Sequence, residues 1–259
     1  MLLAIDIGNT NVVIGILKDG QVLSQWRLTT SHTRTRDEFW ITVKLFADDA
    51  GINVRDVENV IIASVVPPLA DQFVLMSRKH LNIEPVIVRH NLDIGVKYLV
   101  DNPAELGADR ICDIAGALHR YPLPQIIVDL GTATTFDIVD EHSNYLGGSI
   151  MPGVETASRS LISSTAKLPK VNFLPIDTVI GKNTIQHLQA GFFFGAIDQI
   201  DGMIRRIKTE TGWTAPSVIA TGGLSGVLAK YSSEIAIVDH DLTLIGMQFV
   251  FDKIKSAEK

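Results

Sequence analysis

One short pattern occurs twice in this chain. Asp6-Ile7-Gly8-Asn9-Thr10 and Asp129-Leu130-Gly131-Thr132-Ala133 each follow an apolar run, Leu2-Leu3-Ala4-Ile5 and Ile126-Ile127-Val128, and they begin 123 positions apart, at residues 6 and 129 of 259. Each copy sets a carboxylate at the end of a buried strand, then a glycine that permits a tight turn, then short polar side chains. Such a turn can aim backbone N–H groups and hydroxyls at phosphate oxygens while the carboxylate holds a cation, directly or through water. An Asp-x-Gly turn on its own is a common hairpin. Two copies at this spacing point instead to a duplicated fold whose halves grip one nucleotide.

A chain of 259 residues, 46% hydrophobic and 20% charged, has the composition of a soluble globular protein and the length for two domains of ordinary size. The formal charge of −6 argues against nucleic-acid partners, because counterion release needs a concentrated basic surface. The densest basic run, Arg205-Arg206-Ile207-Lys208, falls at a helix end, where cations favour the dipole. The single cysteine, Cys112, has no internal disulfide partner and sits in an apolar helical context, which fits a reducing cytoplasm and a core position. No basic-then-apolar leader opens the chain and no apolar run is long enough to span a bilayer, so a membrane association is not expected. The seven histidines are scattered without metal-ligand spacing, which argues against a zinc site.

Hydrophobic periodicity predicts a mixed α/β protein in two similar halves. In the first, strands over 2–7, 11–17 and 21–29 are joined by the Gly8-Asn9-Thr10 turn and by Asp19-Gly20. A helix follows over about 36–50, then a strand over 60–66, a helix after Pro67-Pro68, a short strand at 86–88 and a helix over 109–120. Pro122 and Pro124 mark the boundary, giving domains 1–120 and 121–259. The second half restarts with strands over 125–130, 134–140 and 145–150. Helices are expected over 153–164 and 184–209, the latter opened by an Asn183-x-x-Gln186 capping box, then a strand over 217–220 and a closing helix over 242–255.

Familiar phosphate loops are absent. Gly181-Lys182 lacks the first glycine of a Gly-x-x-x-x-Gly-Lys loop, and Gly222-Gly223-Leu224-Ser225-Gly226 is not Gly-x-Gly-x-x-Gly. Phosphate binding therefore falls to the paired Asp-Gly turns. In Gly107-Ala108-Asp109-Arg110, Asp109 reads either as the cap of the following helix or as the acceptor of a proton from an attacking hydroxyl, with Arg110 neutralising an acid or phosphate. Gly147-Gly148 with Pro152-Gly153 reads either as a strand-to-helix junction or as backbone brought close to a ligand. Thr221-Gly222-Gly223 after an apolar strand suits a purine lying against bare backbone.

Taken together, Asp6 to Thr10, Asn102-Pro103 with Gly107 to Arg110, Asp129 to Ala133, Gly147-Gly148-x-x-x-Pro152-Gly153, Gly181-x-x-Thr184 and Thr221-Gly222-Gly223 resemble the type III pantothenate kinases, in motif order and over essentially the whole chain. The two Asp-Gly turns alone mark the wider superfamily of acetate and sugar kinases, Hsc70 and actin. The resemblance implies two ribonuclease-H-like domains in an actin-like ATPase fold, a homodimer, and ATP-dependent phosphorylation of pantothenate as the first step of coenzyme A synthesis. It implies that Asp6, Ile7, Gly8, Asn9, Thr10, Asn11, Val12 and Val13 hold the ATP phosphates, with Thr132 adding a contact, and that Asp129 binds a monovalent cation, potassium or ammonium. Gly107, Ala108, Asp109 and Arg110 would hold pantothenate, Asp109 would be the proton acceptor, and Thr184 would contact the substrate. One departure stands out: the family's aromatic residue three positions before the Pro of Asn-Pro is Val100 here, with Tyr98 two residues earlier.

The mechanism this implies is in-line transfer of the γ-phosphoryl group to the primary hydroxyl of pantothenate, with Asp6 positioning Mg²⁺ through water. Two rival readings use the same scaffold: an ATP-binding transcription-accessory protein without catalysis, and a phosphohydrolase acting on polyphosphate or a nucleotide.

Overall fold

The computed structural model describes residues 1–257. In chain order the strands and helices are β1 (Leu2–Ile7), β2 (Asn11–Lys18), β3 (Gln21–Thr29), α1 (Arg36–Asp49), β4 (Asn59–Ser64), α2 (Pro67–Met76), β5 (Val86–Ile87), β6 (Lys97–Tyr98) and α3 (Ala108–Arg120). There follow β7 (Gln125–Leu130), β8 (Ala133–Val139), β9 (Asn144–Pro152), α4 (Val154–Ser163), α5 (Thr184–Thr211), β10 (Ser217–Thr221), α6 (Ser225–Leu228), β11 (Ile237–Val238) and α7 (Leu242–Ala257).

Two compact units emerge, and each repeats one sheet plan. In the first, five strands lie in the order β3-β2-β1-β4-β5; the second contributes the run β9-β8-β7-β10-β11 to a six-stranded sheet. The first three strands of each unit form an antiparallel meander, and the remaining two run parallel to the strand that carries the Asp-Gly turn. The duplication in sequence is thus a duplication of topology.

The first unit comprises residues 1–120 together with the chain from Asp241 onward, and the second comprises Tyr121–His240. Helix α7 groups with the first unit. The reason is a close helix crossing. A β-carbon on Gly116 of α3 would collide with the Leu242 carbonyl oxygen, and one on Gly246 of α7 with the Cys112 carbonyl oxygen, so both glycines let the helix backbones touch. Thr243 Oγ1 donates to Asp113 Oδ1 at 2.6 Å across the same seam.

In the first unit Leu3, Ile5 and Ile7 alternate onto one face of the sheet, where they meet Phe39 and Val43 of α1 and Leu69 and Phe73 of α2. The Phe39 and Phe73 rings stack at 4.1 Å. Each such fully buried side chain stabilises the fold by about 1.5–3 kcal/mol of transfer free energy. The opposite face, which bears Leu2, Ala4 and Asp6, is covered by α3 and α7, with Leu244 lying over Gly15. In the second unit Ile126, Val128, Leu130 and Phe136 face Phe193, Ile197, Ile200 and Ile204 of the long helix α5. The other face of that sheet mixes apolar and polar side chains: Gln125, Thr135, Asp137 and Thr221 are buried there beside Ile127, Val139 and Ile219, with Asp129 half-buried among them.

Candidate functional site

The Asp6 turn is built so that its apolar residues anchor it. Ile7 and Val12 are an opposed pair on β1 and β2 with their side chains in the core, so only their backbone is available to a ligand. Gly8 N–H donates to the Asn11 carbonyl at 2.9 Å, while Thr30 ties the turn down from β3 through its N–H to the Thr10 carbonyl at 2.9 Å and its hydroxyl to the Gly8 carbonyl at 2.7 Å. Asn9 is left exposed at the tip, with Thr10, Asn11 and Val13 half-buried beside it.

The Asp129 turn is held similarly. Gly131 N–H donates to the Ala133 carbonyl at 3.1 Å, and the Thr132 carbonyl accepts from Gly153 N–H at 3.1 Å and from Thr156 Oγ1 at 2.8 Å. A β-carbon on Gly153 would strike the Gly131 and Thr132 carbonyls, so the Pro152-Gly153 corner serves as backing for this turn. Thr132 itself is exposed. Gly222 has φ +88°, and the space its missing side chain leaves is filled by the Asp129 carboxylate and the Leu130 backbone. Leu224 N–H then donates to the Leu130 carbonyl at 3.2 Å. The Thr221-Gly222-Gly223 motif is therefore tied to Asp129.

At the start of α3 the Gly107 carbonyl accepts from Ile111 N–H at 3.1 Å, so Gly107 and not Asp109 occupies the cap position. Asp109 sits within the first turn, its Oδ1 accepting from Arg110 N–H at 2.8 Å. A β-carbon on Gly107 would lie 2.5 Å from that same Oδ1. Ala108 is buried, whereas Asp109 and Arg110 are half-buried and accessible. One turn further on, burial pushes the Cys112 thiol well above its ordinary range, reinforced by the charges of Asp6, Asp113 and Asp109. The structure thus brings Asp6 and Asp109 within electrostatic reach of one buried thiol. Tyr98 is within that reach as well: burial, and after it Cys112, pushes its hydroxyl up to about 12. Val100 is half-buried two residues on.

Thr184 is the exposed first residue of α5. Its helix is capped by Asn183, whose Oδ1 accepts from Gln186 N–H at 3.0 Å, while Gln186 Oε1 accepts from Lys182 N–H at 2.8 Å, one residue before the position a full capping box would use.

Among the described residues no group of three or more His, Cys, Asp or Glu side chains could hold a metal ion. A singly charged cation needs fewer carboxylates, and the surroundings of Asp129 fit one. Thr135 and Thr221 pair with Asp129 on the two neighbouring strands, and the Thr135 hydroxyl, in a residue 8% exposed, has no hydrogen-bond partner. Thr135 is not among the residues the sequence pattern singles out. Its signal was present nonetheless, since a hairpin closed at Gly131-Thr132 puts Thr135 across from Asp129.

The sequence profile described as type III pantothenate kinase matches residues 2–206. The chain belongs to this family. A type III pantothenate kinase of Geobacillus sp. strain WCH70 is 40% identical over 253 residues, covering 98% of both chains, and that of Listeria innocua is 41% identical over 255 residues, again 98% of both. Among solved structures, a Campylobacter jejuni protein described as a Baf family transcriptional activator superposes with a TM-score of 0.59 at 20% identity, covering 98% of this chain and 99% of that one. A Listeria monocytogenes protein described as an N-acetylmannosamine kinase gives 0.51 at 11%, covering 99% of both. At such identities these two likenesses concern the fold alone, a mixed α/β architecture of two sheets flanked by helices. Among the described residues no helix is long and apolar enough to cross a membrane.

Proposed function

We propose that this chain transfers the γ-phosphoryl group of ATP to the primary hydroxyl of pantothenate, giving 4′-phosphopantothenate for coenzyme A biosynthesis. The observation that carries this reading is the placement of Asp109. Its carboxylate is held by the Arg110 N–H and by the space beside Gly107, in the same neighbourhood as Asp6, within a chain similar to type III pantothenate kinases over 98% of its length.

Asp109 orients the acceptor hydroxyl and takes its proton as the bond to phosphorus forms. In a loose transition state orientation matters more than full deprotonation, so the positioning of the carboxylate is what counts. The Arg110 guanidinium offsets charge growing on the transferred group, and Gly107 and Ala108 offer backbone to pantothenate. Tyr98, protonated at any physiological pH and adjacent to Cys112, takes the place of the aromatic residue missing at position 100. Residues 6–13 receive the ATP phosphates through backbone and through the side chains of Asn9, Thr10 and Asn11, with Thr132 adding a hydroxyl. Thr184 contacts pantothenate.

Two ions complete the assignment. Asp6 would hold Mg²⁺ and Asp129 would hold potassium or ammonium; both would supply positive charge that lowers the repulsion between ATP phosphates and nucleophile. The protein acts as a homodimer in the cytoplasm, with pantothenate and ATP as its partners. The Gly107-Ala108-Asp109-Arg110 segment favours catalysis over a transcription-accessory role.

A coupled assay of ADP release, with and without pantothenate and in potassium against sodium buffer, tests this. The expected result is ADP release that requires pantothenate and is faster in potassium. Phosphate release indifferent to pantothenate would assign a phosphohydrolase, and ATP binding without turnover an accessory protein.

A further inference from the structure

Although the two halves repeat one topology, their aspartates have different neighbours. On the sheet row of Asp6 the flanking residues are Val13 on β2 and Ala63 on β4. On the row of Asp129 they are Thr135 on β8 and Thr221 on β10. Residues paired across adjacent strands point to the same face with β-carbons about 5 Å apart, within reach of one bound atom. On its own row Asp6 thus has an apolar residue on each neighbouring strand, and Asp129 has a hydroxyl on each.

Three observations make the second row a built site. Thr135 is 8% exposed and its Oγ1 has no hydrogen-bond partner, a cost the fold carries without an internal return. Thr221 is 2% exposed. Glycine occupies both positions packed on the Asp129 carboxylate: a β-carbon on Gly131 would lie 3.4 Å from Oδ2, and one on Gly222 would overlap Oδ1. Besides Asp129 itself, the one charged residue in strands β7, β8, β9 and β10 is Asp137, buried at the next inward position of β8.

We infer that Thr135 and Thr221 are oxygen ligands of the monovalent cation held by Asp129, and that these hydroxyls make the second aspartate, and not the first, the site for a dehydrated singly charged ion. The inference rests on the proposal that Asp129 binds potassium or ammonium. The desolvation cost of an ion grows with the square of its charge, so a monovalent ion can exchange water for neutral hydroxyls where Mg²⁺ keeps its water shell. Asp6, whose row on the sheet offers no hydroxyl, suits the hydrated ion. Thr135 would then lose its unsatisfied state only when the cation is bound.

The test uses purified full-length protein, with potassium chloride set against choline chloride at equal ionic strength, and two readouts: the melting temperature and the potassium concentration giving half-maximal turnover. For the parent, potassium is expected to raise the melting temperature by several degrees, roughly what ligand linkage gives at saturating concentration. Thr135→Val keeps the shape of the side chain and removes the hydroxyl. In choline it should melt at or above the parent, because nothing in the protein uses that oxygen. In potassium it should lose most of the upward shift and need roughly tenfold more potassium for half-maximal turnover. Thr135→Ser should restore both. A Thr135→Val protein that responds to potassium as the parent does, or that melts lower in choline, would overturn the inference while leaving Asp129 as a cation ligand. A parent indifferent to potassium in both readouts would overturn the Asp129 assignment itself, and with it this inference.

Discussion

The carboxylate of Asp109 occupies the place where a side chain on Gly107 would begin: a β-carbon there would stand 2.5 Å from Asp109 Oδ1, with Val65 Cγ1 at 3.4 Å on its other side. A methyl group at 107 therefore has nowhere to go without moving the carboxylate. Gly107→Ala is expected to lower kcat by about 10²-fold, the cost of misplacing a reacting group by about an ångström. ATP affinity, measured by titration calorimetry, should stay at the parent value, because the residues proposed to bind ATP are untouched.

Asp109→Asn preserves shape and removes the proton acceptor. Turnover should fall by about 10²–10⁴-fold, the span typical of a general base, with ATP binding unaffected. Near-parent turnover in steady-state assays would remove Asp109 from its role.

The seam between α3 and α7 gives a stability prediction. Gly246→Ala would push a methyl group into the Cys112 carbonyl, and the Asp113–Thr243 hydrogen bond leaves the helices little freedom to separate. Overpacking of this kind destabilises by about 1–3 kcal/mol or more, readable as a lower urea midpoint. Gly191 of α5 has open space at its β-carbon, so Gly191→Ala should leave the midpoint unchanged or raise it.

Alkaline pH should weaken the fold through Tyr98 and Cys112. Both groups have folded pKa values above their ordinary values of 10.0 and 9.0, Tyr98 at about 12 and Cys112 well above 9.0, in each case chiefly because burial disfavours the anion. Above pH 9 the unfolded chain releases these protons first, so it binds fewer than the native state and stability falls as pH rises. Only well below pH 8 does the slope from both groups vanish. Urea melts from pH 8 to 11 should show the decline, and Cys112→Ala should make it shallower.

Much of this architecture is legible in the sequence, because local pattern and tertiary role agree. The strands over 2–7, 21–29 and 125–130 have the expected ends, and the Asp19-Gly20 turn adopts positive φ at both residues, as its dipeptide implies. Helix α5 runs two residues past its expected end, to Thr211, where Gly212 at φ +73° stops it. What stayed hidden depends on partners distant in the chain. Nothing local marks α7 as belonging with α3, since the information lies in two glycines 130 positions apart, at 116 and 246. Asp109 reads as a cap because its residue type favours one; only the Gly107 carbonyl bond moves it inside the helix. Two-residue strands such as β6 and β11 are too short for any periodicity. At the candidate site, the Asp-Gly turns and the Asp109 segment are visible as motifs, whereas Thr135 gains meaning only from the strand that puts it opposite Asp129.

The central claim concerns what receives the phosphoryl group, and mass spectrometry of the reaction products addresses it most directly. Incubation with ATP, Mg²⁺, potassium and pantothenate should convert pantothenate to its singly phosphorylated form, one molecule for each ADP produced. ADP or inorganic phosphate accumulating while pantothenate keeps its mass would contradict the account.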